Sequence, residues 1–394
     1  MRIKEIKLYR IRSGNTGEKG AAFGESQYWG GGWQTNSLIA NPMSRYSKYA
    51  TVRTQWMGPG QDPFAIELLT DEGVTGVAAN YGGGILACTV IAQHFSRFLI
   101  GEDPFNIELI WDEMYRSTMP YGLGGVTAMA MSGVDLALWD LIGKATGKPV
   151  YQLIGGKTKE TIPCYVTTHP DLASCWKGTG FLGVKIAAPW GASDGRDGLK
   201  KMQTCVEQTR SAIGDDIELM IDCYMAWDLE FSTRLAKRIS DCDVKWFEDP
   251  LPNGWAEPLN RELRSFISPV QVAIGNLEFD YKAYHSILMN RSCDVIQPEL
   301  QWCGGLTAVR RIAAMARAYD IPVIPHGSGV YNYHFVISNA NSPFAEYLSV
   351  GDGTRVRSTF DAVIGEPLPE NGHVSLSDKP GFGVELNRDY LEPL

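Results

Sequence analysis

Five short runs decide the fold: IELMID at residues 217–222, VKWFE at 244–248, VQVAIGN at 270–276, DVIQPE at 294–299 and IPVIPH at 321–326. Each is largely apolar and closes on a residue able to titrate or bind a metal: Asp222, Glu248, Asn276, Glu299 and His326. The closing residues stand 23 to 28 positions apart. That interval holds one strand, one loop, one helix and a second loop, the repeating unit of a parallel sheet. Core packing alone gives no reason for a polar residue at five successive run ends. The spacing therefore predicts five side chains gathered at one edge of a sheet.

Working outward, further runs of the same kind occur at Ile162–Val166, Phe181–Ile186 and Ala345–Ser349. Amphipathic segments at 196–213, 228–240, 256–267, 280–290 and 304–319 separate many of the strands. Continuous rather than alternating apolar runs indicate strands buried on both faces. Eight such strands are the count of an α/β (β/α)₈ TIM barrel, whose sites form at the C-terminal strand ends. The barrel is expected over 126–365. Before it, residues 2–12 alternate like a half-buried strand, and Phe64–Thr70 and Val74–Asn80 flank Asp71-Glu-Gly73 as a hairpin. Helical patterns follow at about 85–99, 105–118 and 125–147, the last stopped by Gly147-Lys-Pro149. Residues 1–125 thus read as an α+β capping domain. The tail, 366–394, is rich in Pro and Gly and is expected to fold back onto it. Residues 13–60 are irregular, and their aromatic residues, Trp33 among them, favour an ordered lid.

Composition narrows the function. The chain has 394 residues and a net charge of −9 with no basic run, which speaks against nucleic acid as a partner. No apolar run reaches the roughly 18 residues of a membrane span. The first residues, MRIKEIK, lack the uninterrupted apolar core of a secretory signal. The eight cysteines show neither CxxC pairs nor zinc-like spacing, so a reducing, cytoplasmic setting without disulfides is expected.

The strand ends then predict the site: Lys185, Asp222, Glu248, Asn276, Glu299, His326 and Glu346, for strands two to eight. Asp222 and Glu248, on neighbouring strands, would repel each other unless a cation lay between them. Oxygen donors of this type suit Mg²⁺. The third donor is Asn276 at the run end, or Glu278 two residues on. His326, with Glu299 at the matching height on the preceding strand, has the composition of a carboxylate-oriented general base. Glu346 is an acid inside an apolar run and calls for a partner or a ligand. Lys185 can neutralise a substrate carboxylate or act as a base. Arg53, in the aromatic lid, can clamp a carboxylate from above. No nucleotide-binding motif is present: Gly82-Gly-Gly84 and Gly304-Gly305 fit neither GxGxxG nor a P-loop.

With these residues in place, the chain resembles the enolase superfamily in its mandelate racemase branch, over nearly its full length. The stretches that carry the likeness are EKGA at 18–21, NPMS at 41–44, SGVDLALWD at 132–140, Asp222-Cys223, IQP at 296–298, WCGGLT at 302–307, PHGS at 325–328 and DKPGFGVELNR at 378–388. The resemblance implies a modified barrel with an α+β cap. It implies Mg²⁺ on Asp222, Glu248 and a third ligand at Asn276. It implies acid/base chemistry by His326 tuned by Glu299, stabilisation of developing charge by Glu346, and substrate contacts from Arg53 and Gln27 in the cap. The implied reaction is loss of water from a sugar acid of the L-rhamnonate type, giving a 2-keto-3-deoxy acid. Homo-oligomeric assembly is also implied. Three positions depart from the family's pattern: Asn276 where Glu is usual, Glu299 where Asp is usual, and Gln27 where related enzymes place His. Two other readings follow from the same residues. Asn276 motivates a non-catalytic sugar-acid binder, and Lys185 as a second base motivates an epimerase or racemase.

Overall fold

Strand β1, Ile3–Ile11, pairs antiparallel with β2, Phe64–Thr70, and β2 continues through a tight turn into β3, Thr75–Asn80. Gly73 in that turn has φ 83°, a conformation that glycine adopts without steric cost. The computed structural model describes residues 1–11, 33–50, 62–252, 257–359 and 361–394. Helices at Gly84–Val90, Ile107–Ser117 and Val126–Thr146 follow the hairpin, in the places expected from the sequence.

The remaining strands are β4 (Ile162–Thr168), β5 (Gly183–Ala187), β6 (Glu218–Asp222), β7 (Val244–Glu248), β8 (Gln271–Ile274), β9 (Val295–Ile296), β10 (Ala345–Leu348), β11 (Val363–Ile364), β12 (His373–Val374), β13 (Glu385–Leu386) and β14 (Leu391–Pro393). Strands β10-β4-β5-β6-β7-β8-β9 form a parallel sheet in that order, so the last strand returns to lie beside the first. Side chains from around the curved sheet meet inside it: Tyr165, Met220, Trp246, Ala273, Val295 and Ile324 form one apolar cluster. The Tyr165 and Trp246 rings meet edge to face at 5.5 Å. This is a filled barrel, not an open sheet.

One expected strand is nearly absent. Ile321–Ile324 makes a single bridge, Val323 to Ile296, rather than a ladder. Pro322 and Pro325 have no N–H to donate, so a continuous ladder cannot form. Val323 N donates instead to Asn341 O at 2.9 Å, and Ile324 N to Ile296 O at 3.0 Å. The helix after this segment, Val330–Ser338, is buried along nearly its whole length. Burial on all sides explains why the sequence shows no amphipathic pattern there.

The Val126–Thr146 helix corrects a second expectation. It is long and apolar enough to cross a bilayer by length and composition, although no such run was expected. In the fold it is a core helix, wedged between cap and barrel. Two buried acids fasten it. Asp135 Oδ2 accepts from Thr307 N at 3.0 Å on the barrel helix Gly305–Ala318. Asp140 accepts from Val77 N of β3 and from Phe382 N of the tail, both at 2.9 Å. Burial pushes Asp135 up to about 7, against the pull of its Thr307 hydrogen bonds. In the tail, β14 pairs with β1 of the cap, but β12 pairs first with β4 of the barrel, which the sequence did not suggest. All eight cysteines are free.

Candidate active site

The site is the layer of the barrel directly above its apolar filling. Side chains on a strand alternate, so residues two apart share a face. Stepping two residues up from the inward cluster leads from Tyr165 to Thr167, from Met220 to Asp222, from Trp246 to Glu248, from Val295 to Gln297 and from Ile324 to His326. Phe344, packed on the same cluster, leads to Glu346. The strand register agrees for two pairs: Asp222 pairs with Glu248, and Thr167 with Lys185. A ring of polar side chains follows from the same alternation that fills the barrel below.

Lys185 is the hub of this ring and is fully buried. Its ammonium contacts Glu248 Oε1, lies 3.0 Å from Glu346 Oε1 and 4.0 Å from Asp222 Oδ2. Below, it sits 5.6 Å from the centre of the Tyr165 ring. Burial disfavours its charge, but Glu248 and Glu346 outweigh that and hold it protonated. Glu346 accepts from Thr167 Oγ1 and, at 2.6 Å, from the backbone N–H of Gly327. Burial alone would raise its carboxyl; Lys185, His326 and the Thr167 hydrogen bond bring it down to about 2. Glu248 also accepts from Gln297 Nε2 at 2.7 Å. Asp222 accepts from Tyr224 N at 3.1 Å, and burial together with Glu248 pushes it up to about 7.

His326 and Glu299 meet: Nδ1 lies 3.0 Å from Glu299 Oε2. The carboxylate accepts, so Nδ1 carries the hydrogen and Nε2 is left as the basic nitrogen. The other Glu299 oxygen accepts from Gln301 N at 3.0 Å. Burial lowers His326, but Glu299 and Glu346 raise it further, to about 9. Asn332 Nδ2 donates to the carbonyls of His326 and Gly327, at 2.7 and 2.9 Å, and fixes their turn. The Trp302 ring stands 5.4 Å from the imidazole.

The donor set suits a hard cation. Asp222 and Glu248 supply two carboxylates side by side. Asn276 is 9% exposed, and its Oδ1 is buried without a hydrogen-bond partner. A buried carbonyl oxygen with no donor is costly unless something else satisfies it. Among the described residues no group of three His, Cys, Asp or Glu side chains is placed to hold a metal ion by itself, which is consistent with an amide oxygen as the third donor. Glu278, the other candidate, is half-buried, with its backbone carbonyl accepting from Tyr284 Oη at 2.7 Å.

Other expected residues fall as follows. Trp33 packs against Ile39 and Ala187 near the barrel mouth, and its indole N–H donates to Ser349 O at 2.9 Å. Arg53 and Gln27 lie outside the described residues. Reading run ends missed Thr167 and Gln297, which counting in twos from the inward apolar residues would have found. It also passed over Asp249, 2% exposed with φ 38°.

A polar ring above a filled parallel barrel, with paired carboxylates on one side and a carboxylate-held histidine on the other, is the arrangement of a capped-barrel protein with a candidate site at its mouth. The chain belongs to the enolase superfamily: residues 52–155 match the mandelate racemase/muconate lactonizing enzyme N-terminal domain, and residues 171–390 match the enolase C-terminal domain-like family. A protein of Caldivirga maquilingensis, provisionally named L-rhamnonate dehydratase, is 39% identical over 99% of this chain and 96% of its own. The crystal structure of L-rhamnonate dehydratase from Gibberella zeae is 36% identical, with a TM-score of 0.89, over 100% of this chain and 96% of that one. The structure of the Gibberella zeae enzyme complexed with Mg is 38% identical, with a TM-score of 0.90 and the same coverage.

Proposed function

We propose that this protein is a Mg²⁺-dependent dehydratase of sugar acids of the L-rhamnonate type. The observation that carries the proposal is the His326–Glu299 pair in the same barrel-mouth ring as Asp222 and Glu248. Full-length likeness to L-rhamnonate dehydratases supports the substrate class. Mg²⁺, when held by Asp222, Glu248 and the Asn276 amide oxygen, supplies positive charge beside the substrate's carboxylate.

The chain's own residues do the rest. His326 Nε2 takes the proton from the carbon next to the carboxylate, and Glu299 stabilises the imidazolium so formed. The electrons of that C–H bond form a carbon–carbon double bond as the neighbouring C–O bond breaks. The imidazolium returns its proton to the departing hydroxyl, which leaves as water. The enol left behind tautomerises to a 2-keto-3-deoxy acid. One base serves both transfers. Glu346, with oxygens taken up by Thr167, Gly327 N and Lys185, holds Lys185 and the turn beside His326 in place. Arg53 and Gln27 are assigned to the substrate's carboxylate and hydroxyls, as the resemblance implies. Racemisation needs a second base on the opposite face. Lys185, enclosed and surrounded by carboxylates, does not favour that reading.

The test is a panel of mono- and diacid sugars with Mg²⁺ in D₂O, read for 2-keto-3-deoxy acid and for exchange of the proton next to the carboxylate. L-Rhamnonate and its stereochemical neighbours are expected to lose water, and His326→Asn is expected to abolish both readouts. Full turnover in His326→Asn refutes the role given to that residue. Binding without exchange supports a non-catalytic binder, and exchange without water loss supports an epimerase.

A further inference from the structure

We infer that Asp249 is part of the cation site, as a carboxylate that accepts hydrogen bonds from cation-held water and supplies the negative charge that Asn276 lacks. This rests on the cation-dependent reading above. Asp249 follows Glu248 at the end of β7 and is 2% exposed, yet its Oδ1 has no hydrogen-bond partner. Buried carboxylates are normally paired, because an ionised oxygen removed from water must be solvated by something else. Its electrostatic neighbours are Glu248, Asp222, His326 and Lys185, all members of the site already described. A second buried oxygen, Asn276 Oδ1 beyond the end of β8, is likewise without a partner.

The backbone accounts for the placement. A residue following an inward-facing one on a strand ordinarily faces outward. Asp249 leaves the strand conformation at φ 38°, a region that non-glycine residues seldom occupy and that clusters at functional sites. The turn is fastened on both sides: Asp249 N donates to Ala273 O at 2.9 Å, and Asp249 O accepts from Met225 N at 2.7 Å. The strand ends carrying Asp222, Glu248 and Asn276 are thus tied together through the Asp249 backbone. Asp222, Glu248 and Asp249 do not form a ready three-carboxylate metal group, so Asp249 is assigned the outer position. Mg²⁺ usually keeps several of its waters, and these are strong donors that a nearby carboxylate accepts. Asn276 contributes an oxygen without charge; Asp249 contributes charge without direct contact.

The experiment is calorimetric titration of Mg²⁺, and separately Mn²⁺, into the full chain stripped with EDTA, alongside thermal unfolding of the metal-free protein. Wild type, Asp249→Asn, Asp249→Glu and Asp222→Asn are compared. Asp249→Asn should bind Mg²⁺ about 10- to 100-fold more weakly, the range for partners just outside the ligand shell. Its metal-free melting temperature should equal or exceed that of wild type, because the substituted carboxyl has no Oδ1 hydrogen bond to lose. Asp249→Glu, which keeps the charge, should recover most of the affinity. Undiminished affinity in Asp249→Asn overturns the inference. So does a fall in its metal-free melting temperature or a failure to fold, since both mark a structural role. If wild type and Asp222→Asn alike bind no Mg²⁺, the cation-dependent reading itself fails, and this inference fails with it.

Discussion

Removing the Glu299 charge should make His326 a weaker base by a predictable amount. The Glu299→Gln substitution keeps the side chain's length and an oxygen able to accept from Nδ1–H. It removes the charge that stabilises the protonated ring. The pair is at 3.0 Å, with Glu299 1% exposed, so little water screens it. A hydrogen bond to a charged group is worth about 1.5–3 kcal/mol. At 1.36 kcal/mol per unit, this corresponds to a fall of about 1 to 2 pKa units. His326, held at about 9 in the metal-free protein, should therefore titrate that much lower. The ring proton of His326 can be followed by NMR in EDTA, with His326→Asn identifying its resonance among those of the six histidines. The acid limb of kcat/KM should move to lower pH in the same direction, and the plateau should fall because the base is weaker. A shift smaller than about half a unit, under ~0.7 kcal/mol, would falsify the claim that Glu299 sets this basicity.

Two further outcomes follow from the scaffold. Asp135 is an acid whose pKa rises on folding, from 3.8 to about 7, through burial. The native state then holds more protons than the unfolded one within that window, so stability should decline as pH rises through it. Asp135→Asn should remove up to ~4 kcal/mol of that slope, as read by urea unfolding from pH 4 to 8; an unchanged slope rules Asp135 out as its source. Gly76 lies where a Cβ would stand 2.2 Å from Ala137 O and 2.4 Å from Leu141 Cβ. Gly76→Ala should therefore force β3 off the Val126–Thr146 helix and destabilise by about 1–3 kcal/mol. A thermal midpoint equal to wild type would show that the contact yields freely.

Much of the architecture was legible in the chain before any coordinates. Apolar runs at regular spacing, each strand followed by a polar residue, specify a parallel barrel with its site at one end, because period and burial are local properties of sequence. The cap hairpin and the returning tail were legible for the same reason, through Asp71-Glu-Gly73 and the Pro- and Gly-rich segment after residue 366. Reading run ends also named Lys185, Asp222, Glu248, Glu299, His326 and Glu346, which the fold brings into one ring and its dyad.

What only the tertiary structure decided concerns partners. That Lys185 joins Glu248 to Glu346 depends on strands β5, β7 and β10 meeting across a barrel, which no local pattern encodes. Gln297 and Thr167 became visible only when the curvature placed their inward neighbours in one layer. Proline kept Ile321–Ile324 from a full ladder, although its apolar run reads like its neighbours'. The left-handed turn at Asp249 takes a side chain out of the strand's alternation, and sequence periodicity assumes alternation throughout. Spacing along the chain therefore determined where the site would be. Contact between distant strands determined which groups in it are paired and which, like Asp249 Oδ1 and Asn276 Oδ1, are buried without a hydrogen-bond partner.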